Sequence, residues 1–215
     1  MGEVSAVHVD TQPSRDQAGG PEQAGAEPAE PAGGADYARL VENLRHLLDA
    51  VAAARPPSPL VSRLADQLAE LDAQLAPFAV AEAARVAGRR FDLPGRGQTM
   101  APALHWDEFD AHHGRCRVTL GQHYTGGGAA HGGAVSLLFD EALSAVANRG
   151  RPMARTAYLH VDYRAITPIG TELWIDVVVD RVEGRKCYLR GGLHHGEVLC
   201  AQAEALFVEL RPDQP

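Results

Sequence analysis

His131 to Asn148 reads HGGAVSLLFDEALSAVAN: a histidine and two glycines, then an apolar run interrupted at its centre by two adjacent carboxylates, Asp140 and Glu141. The run is long enough for four helical turns and apolar nearly all round, so it specifies a helix wrapped by other elements. Placing a carboxylate inside such a helix strips water from its charge, which costs free energy unless a partner or a function compensates. Any fold for this chain must cover that helix and account for Asp140.

The strands on either side of the helix supply the cover. Asn148, Gly150 and Pro152 end the helix. Thr156 to Arg164 then alternates Ala157, Leu159, Val161 and Tyr163 against Thr156, Tyr158, His160 and Asp162. Thr171 to Val182 places Leu173, Ile175, Val177 and Val179 on one face. Glu183-Gly184 marks a hairpin into Lys186 to Leu193, and His195-Gly196 another into Val198 to Leu210. Ahead of the helix, Ala103 to Phe109 and Arg115 to Gln122 are two further strands, the second alternating Cys116, Val118 and Leu120 against Arg115, Arg117 and Thr119. A helix leading into four meandering strands predicts an α+β architecture, an antiparallel sheet wrapped around one long apolar helix.

The first 90 residues are of another character. Residues 1–35 hold six carboxylates against Arg15 alone and almost no large apolar side chain after Val9, which predicts a disordered tail. Its Met-Gly-Glu start with Ser5 is too little to argue for myristoylation. Residues 36–90 predict a helical extension. Val41, Leu44, Leu48 and Val51 recur at helical steps, and Leu60, Leu64, Leu68, Leu71 and Leu75 repeat the pattern. Ser58 is expected as N-cap with Pro59 at the first helical position, and a third short helix is expected from Pro77 to Ala87, ended by Gly88. Packing or lid duty is the expected role of these helices, since their polar faces are not basic enough for a membrane surface.

Composition narrows the function classes. No basic stripe with interleaved aromatics is present, which argues against nucleic acid. No apolar run reaches bilayer length and no secretory leader pattern opens the chain, so no stable membrane insertion is expected. Cys116, Cys187 and Cys200 are odd in number and lack CxxC spacing, which predicts reduced, half-buried thiols and a cytoplasmic setting. The pairs His112-His113 and His194-His195 lack metal-ligand spacing. Gly126, Gly127 and Gly128 precede the helix without the GK[ST] or GxGxxG of a nucleotide loop. Neither a metal nor a cofactor is expected.

The chemistry concentrates at the central helix. Its N-terminus presents unpaired N–H groups and a positive dipole end, and Gly132 and Gly133 let a ligand approach the backbone there. Such a site suits a carbonyl oxygen that gains negative charge on attack. Asp140, two to three turns further in, is suited to act as general base or as nucleophile. Glu141 lies 100° round the helix, and one of the two carboxylates is expected simply to pair with an arginine.

HGGAVSLLFDEAL followed by RTAYLHVDYRAITPIGTELWIDVVV resembles the hotdog-fold acyl-CoA thioesterases, and most of all their phenylacetyl-CoA thioesterase-like (PaaI-like) branch. The resemblance spans about residues 100 to 210, within a hotdog domain of residues 91–215. Their HGG-x6-D pattern is matched by His131, Gly132, Gly133 and Asp140. The resemblance implies hydrolysis of an acyl-CoA to free acid and coenzyme A, with Asp140 as base or nucleophile and the Gly132 N–H as oxyanion donor. It implies that Thr156 holds the water and that His131 is a positioning residue bonded to backbone. It further implies a homodimer or dimer of dimers, joined sheet edge to sheet edge, with Asp140 of one chain facing Thr156 of the other. Arg164, Arg185 and Lys186 are candidate contacts for the coenzyme A phosphates, beside Gly133. Two alternatives stay open: a non-catalytic acyl-CoA-binding module, and a hotdog hydratase or dehydratase, which would need an Asp…His loop that the sequence does not display.

Overall fold

A computed structural model describes residues 32–211; the predicted tail lies almost wholly outside them. Helix α1 (Tyr37–Ala53) and helix α2 (Ser58–Leu75) come first, then strands β1 (His105–Phe109) and β2 (His113–Thr119). A two-residue hairpin, β3 (Thr125–Gly126) with β4 (Ala129–Ala130), leads into helix α3 (Gly132–Ala147). Strands β5 (Ala154–Tyr163), β6 (Glu172–Glu183), β7 (Lys186–His195) and β8 (Val198–Glu209) complete the chain.

The large sheet has six strands in the order β1-β2-β6-β7-β8-β5, all pairings antiparallel. Only β6, β7 and β8 form a meander. The expected run of four is corrected: β5 crosses to the far edge and pairs with β8 alone, while β6 lies between β2 and β7. The hairpin glycines Gly184 and Gly196 carry φ of 57° and 55°, the left-handed backbone that two-residue turns need.

Helix α3 lies across this sheet, as the alternating strands and apolar helix required. Ala134, Val135, Leu138, Phe139, Ala142, Leu143, Val146 and Ala147 are buried, a four-residue repeat two side chains wide. Against them stand Val118, Leu173, Ile175, Leu189 and Phe207, each at most 1% exposed. Burying each such side chain contributes about 1.5–3 kcal/mol, so this single layer supplies most of the hydrophobic stabilisation. Asp140 and Glu141 sit on the helix's other, half-buried face. The fold is α+β, an antiparallel sheet packed on the central helix, as expected.

The extension differs in detail. Helix α2 begins at Ser58 itself, with Pro57 in the cap position and no side-chain cap bond, so Ser58 is not the N-cap. Instead of a third helix, two short 3-10 turns occupy Ala76–Phe78 and Glu82–Ala84. A segment this short is marginal as a helix without a face to bury, and Phe78 and Val80 stay exposed.

Polar side chains fasten α1. Arg45 donates to the carbonyls of Pro94, Gln98 and Ala101. Asp49 accepts from the His123 ring and the His123 amide. Burial pulls the Asp49 carboxyl upward, but these bonds outweigh it and hold it below the usual carboxylate range. A Cβ at Gly121 would fall 2.1 Å from that carboxylate, so only glycine admits this approach.

Candidate active site

The start of α3 is built by its own first residues. His131 holds extended backbone (φ −62°, ψ 136°) and caps the helix: its Nδ1 accepts the Gly133 N–H at 3.0 Å. Acceptance requires a bare Nδ1, hence a neutral ring with its proton on Nε2. The histidine therefore bonds to backbone, and one of the two glycine amides is occupied. The Gly132 N–H, first in the helix, has no carbonyl four residues back within the helix to accept it. The glycine triplet ahead is a hairpin turn, with Gly127 and Gly128 at φ 68° and 86°.

The far end of α3 is tied to β5. Asn148 caps the helix, its Nδ2 donating to the Ser144 carbonyl at 2.9 Å while its Oδ1 accepts the Ala154 N–H at 2.6 Å. The chain then doubles back, so β5 runs against the direction of α3. Thr156 comes level with Asp140, and its Oγ1 donates to the Asp140 Oδ1 at 2.8 Å. Seven residues on, the Tyr163 hydroxyl donates to the Gly132 carbonyl at 2.8 Å and meets Ser136 Oγ at 3.0 Å. The expectation that Asp140 faces Thr156 across two chains is corrected: both belong to one chain, because the Asn148 link returns β5 alongside its own helix.

Strict alternation from Leu159, Val161 and Tyr163 would point Thr156 away from the helix. The β5–β8 register slips between Thr156 and Tyr158, leaving Ala157 as an extra residue. This bulge reverses the parity and turns Thr156 toward Asp140.

Glu141 has a separate partner. Arg96 donates to both its carboxylate oxygens, at 2.7 and 2.9 Å. Arg96 stands at φ 58° between Gly95 and Gly97, at 61° and 69°, so three successive left-handed residues aim its guanidinium at the helix. A non-glycine residue held there costs roughly 1–2 kcal/mol, and one guanidinium nitrogen, Nη2, makes both contacts to the carboxylate. In the sequence Arg96 falls in a loop of breakers, and its flanking glycines are the one local signal of its role. Burial pushes the Glu141 carboxyl above its usual range, the Arg96 charge opposes this, and the neighbouring Asp140 charge adds to it.

A raised folded-state value means the Glu141 contribution to stability is whole below the ordinary glutamate range. It is lost as pH climbs through the raised value. Glu141→Gln is expected to flatten the pH dependence of thermal unfolding across that window. An unchanged profile counts against the assignment.

Of the remaining candidates, Gly133 is committed to His131. Arg164 pairs with Asp162 at 2.8 Å, and Arg185 donates to the Glu209 carbonyl at 2.8 Å. Arg164 comes just after the last residue of β5, whereas Arg185 sits by its first, Ala154. Ten strand residues separate those ends by about 30 Å, so Arg164 does not join Arg185 and Lys186 on one phosphate group within a chain. The three cysteines are free and buried rather than half-buried, two of them fully covered. Burial pushes the Cys116 thiol up to about 12, so it is inert. A polar concavity of about 350 Å³ lies between α1 and β2, lined by Arg45, Asp49, Arg117 and His123 among others; neither Asp140 nor Thr156 borders it. The Asp140–Thr156 pair lies instead beside β5, whose outer edge has no strand partner among the described residues.

Residues 127–202 match the family model described as the thioesterase superfamily. The chain is 36% identical over 89 residues to acyl-coenzyme A thioesterase THEM4 of Xenopus laevis, covering 40% of this chain and 39% of that protein. It is 30% identical over 103 residues to the THEM4 of Rattus norvegicus, covering 46% and 44%. The matched stretch thus spans less than half the length of either curated relative. A crystal structure of a thioesterase superfamily protein superposes with a TM-score of 0.70 at 27% identity, over 84% of this chain and 94% of that one. With β2, β6, β7, β8 and β5 folded on α3, the chain has the hotdog fold, and its residues 127–202 are similar to the thioesterase superfamily.

Proposed function

We propose that this chain hydrolyses an acyl-CoA thioester to the free acid and coenzyme A, with Asp140 as the acting carboxylate. The observation that carries the reading is the 2.8 Å bond from Thr156 Oγ1 to Asp140 Oδ1. It leaves the other Asp140 oxygen available to take a proton from water or to attack the thioester carbon. Helix-start amides receive the charge that develops on the carbonyl oxygen, and Gly132 has the free one. The THEM4 relatives, named as acyl-coenzyme A thioesterases, support the substrate class. HGG followed, after six intervening residues, by Asp140 supports the PaaI-like branch.

The distance between Gly132 and Asp140 favours a site divided between two copies. Eight helical residues separate Gly132 from Asp140, about 12 Å along the axis, too far to serve one thioester carbon. The open edge of β5 offers the remedy, since an unpaired edge strand is a template for a further strand. Antiparallel pairing of β5 with β5 of a second copy sets the Tyr163 end of one beside the Thr156 end of the other. Tyr163 holds Gly132 and Thr156 holds Asp140, so Gly132 of one copy approaches Asp140 of its partner. The site is then completed twice in a homodimer.

Release of free thiol from a panel of acyl-CoAs tests the reaction. Turnover is expected; binding without thiol release makes the protein an acyl-CoA-binding module instead. Thr156→Ala removes one hydrogen bond and is expected to cost about tenfold in kcat. A larger loss than that of Asp140→Asn points to a different acting group.

A further inference from the structure

Helix α2 has a face that the other described residues do not cover. None of its residues is buried, and its main neighbour is its own following turn, Ala76–Phe78. Most helical stability in proteins comes from packing an apolar face, so this 18-residue helix calls for a partner. Its apolar residues define what kind. Val61, Leu64, Leu68, Leu71, Leu75 and Phe78 recur at steps of three, four, three, four and three, and stand between 37% and 76% exposed. That spacing repeats every 3.5 residues, which keeps one seam facing another helix rather than a flat surface.

The flanks of the seam identify the partner. Ala65 and Asp72 border it on one side, Leu60, Gln67 and Gln74 on the other. In a parallel pair Asp72 meets Gln67 of the second helix, so a copy meets a copy without opposed like charges. The outer face carries Arg63 against Asp66 and Glu70, an acidic balance unsuited to an anionic lipid surface. The six seam side chains expose on the order of 600 Å² per copy, so two seams close over roughly 1,200 Å², the lower end for a specific interface.

We propose that the α2 seam is an interface between two copies of this chain, closed as a two-stranded coiled coil and separate from the β5 edge. A protein joined at both places is a dimer of dimers. The seam belongs to the extension alone, and its pairing is independent of whatever reaction Asp140 performs.

The test is the mass of the full chain in solution by light scattering. Leu68→Glu/Leu71→Glu is expected to halve the mass, and Asp66→Ala on the outer face to leave it unchanged. Leu68→Cys is expected to form an interchain disulfide under mild oxidation, with little background because the native cysteines are buried. Should the double variant fail to fold, the cysteine variant decides: a linked pair supports the seam and its absence overturns it. An unchanged mass in a folded double variant also overturns the proposal. So does a wild type that sediments with phosphatidylglycerol vesicles through this stripe while its mass is unaffected by the substitutions.

Discussion

Asp140→Asn is expected to lower kcat for acyl-CoA hydrolysis by about 10²–10⁴-fold, the range a positioned general base contributes. Asparagine keeps the size of the side chain and an oxygen able to accept from Thr156 Oγ1, so the 2.8 Å contact survives. It removes the oxygen proposed to take a proton or attack carbon. Because Asp140 is half-buried on the face of α3 away from the core, the change leaves the packing of Leu138, Phe139 and Leu143 intact. The loss should therefore fall on kcat with KM little changed, the signature of a group acting in the transition state. A variant that hydrolyses as fast as wild type removes Asp140 from the chemistry while leaving the fold untouched.

Gly132→Pro is expected to cost about 10²–10³-fold, the effect of deleting one oxyanion donor. Proline is suited to this position because the first helical N–H has no intrahelical acceptor and the fixed φ matches a helix start. The residue before it is already compatible: His131 stands at φ −62° and ψ 136°, the extended backbone that proline demands of its predecessor. Gly132→Ala is the control. Its Cβ would lie 3.3 Å from the Tyr163 hydroxyl, a close contact that this half-exposed side chain relieves by a small shift, and its N–H remains. Alanine retaining most of the activity while proline loses it assigns the effect to the N–H. Equal losses in both assign it to the tight packing of Tyr163 on the helix start.

The central helix, its ends and the strands around it were legible because each rests on a local rule. Apolar period, the Asn148 stop and the Gly184 and Gly196 turns are written within a few residues of where they act. Asp140 and Thr156 were legible as candidates, but their pairing within one chain was not. Strict alternation points Thr156 the other way, and only the bulge at Ala157 turns it inward. A bulge depends on the register with β8, some 50 residues later, which no local pattern encodes. The crossing of β5 to the far edge escaped for the same reason: hairpin signals order neighbours in the chain, not strands that pair across it. Arg96 was hidden differently, since its role comes from three left-handed residues whose combined aim the glycines permit but do not announce. The third helix of the extension failed because periodicity alone does not supply a surface to bury.

The proposed site divides Gly132 and Asp140 between opposite copies, and subunit mixing tests that division directly. Asp140→Asn chains and Gly132→Pro chains are each expected to be nearly inactive alone. Exchanged in equal amounts, half of the pairs are mixed, and each mixed pair holds one intact site, so about a quarter of wild-type activity returns. Thiol release at that level is the predicted result. Mixtures no more active than their separate components would contradict a shared site and return both residues to a single chain.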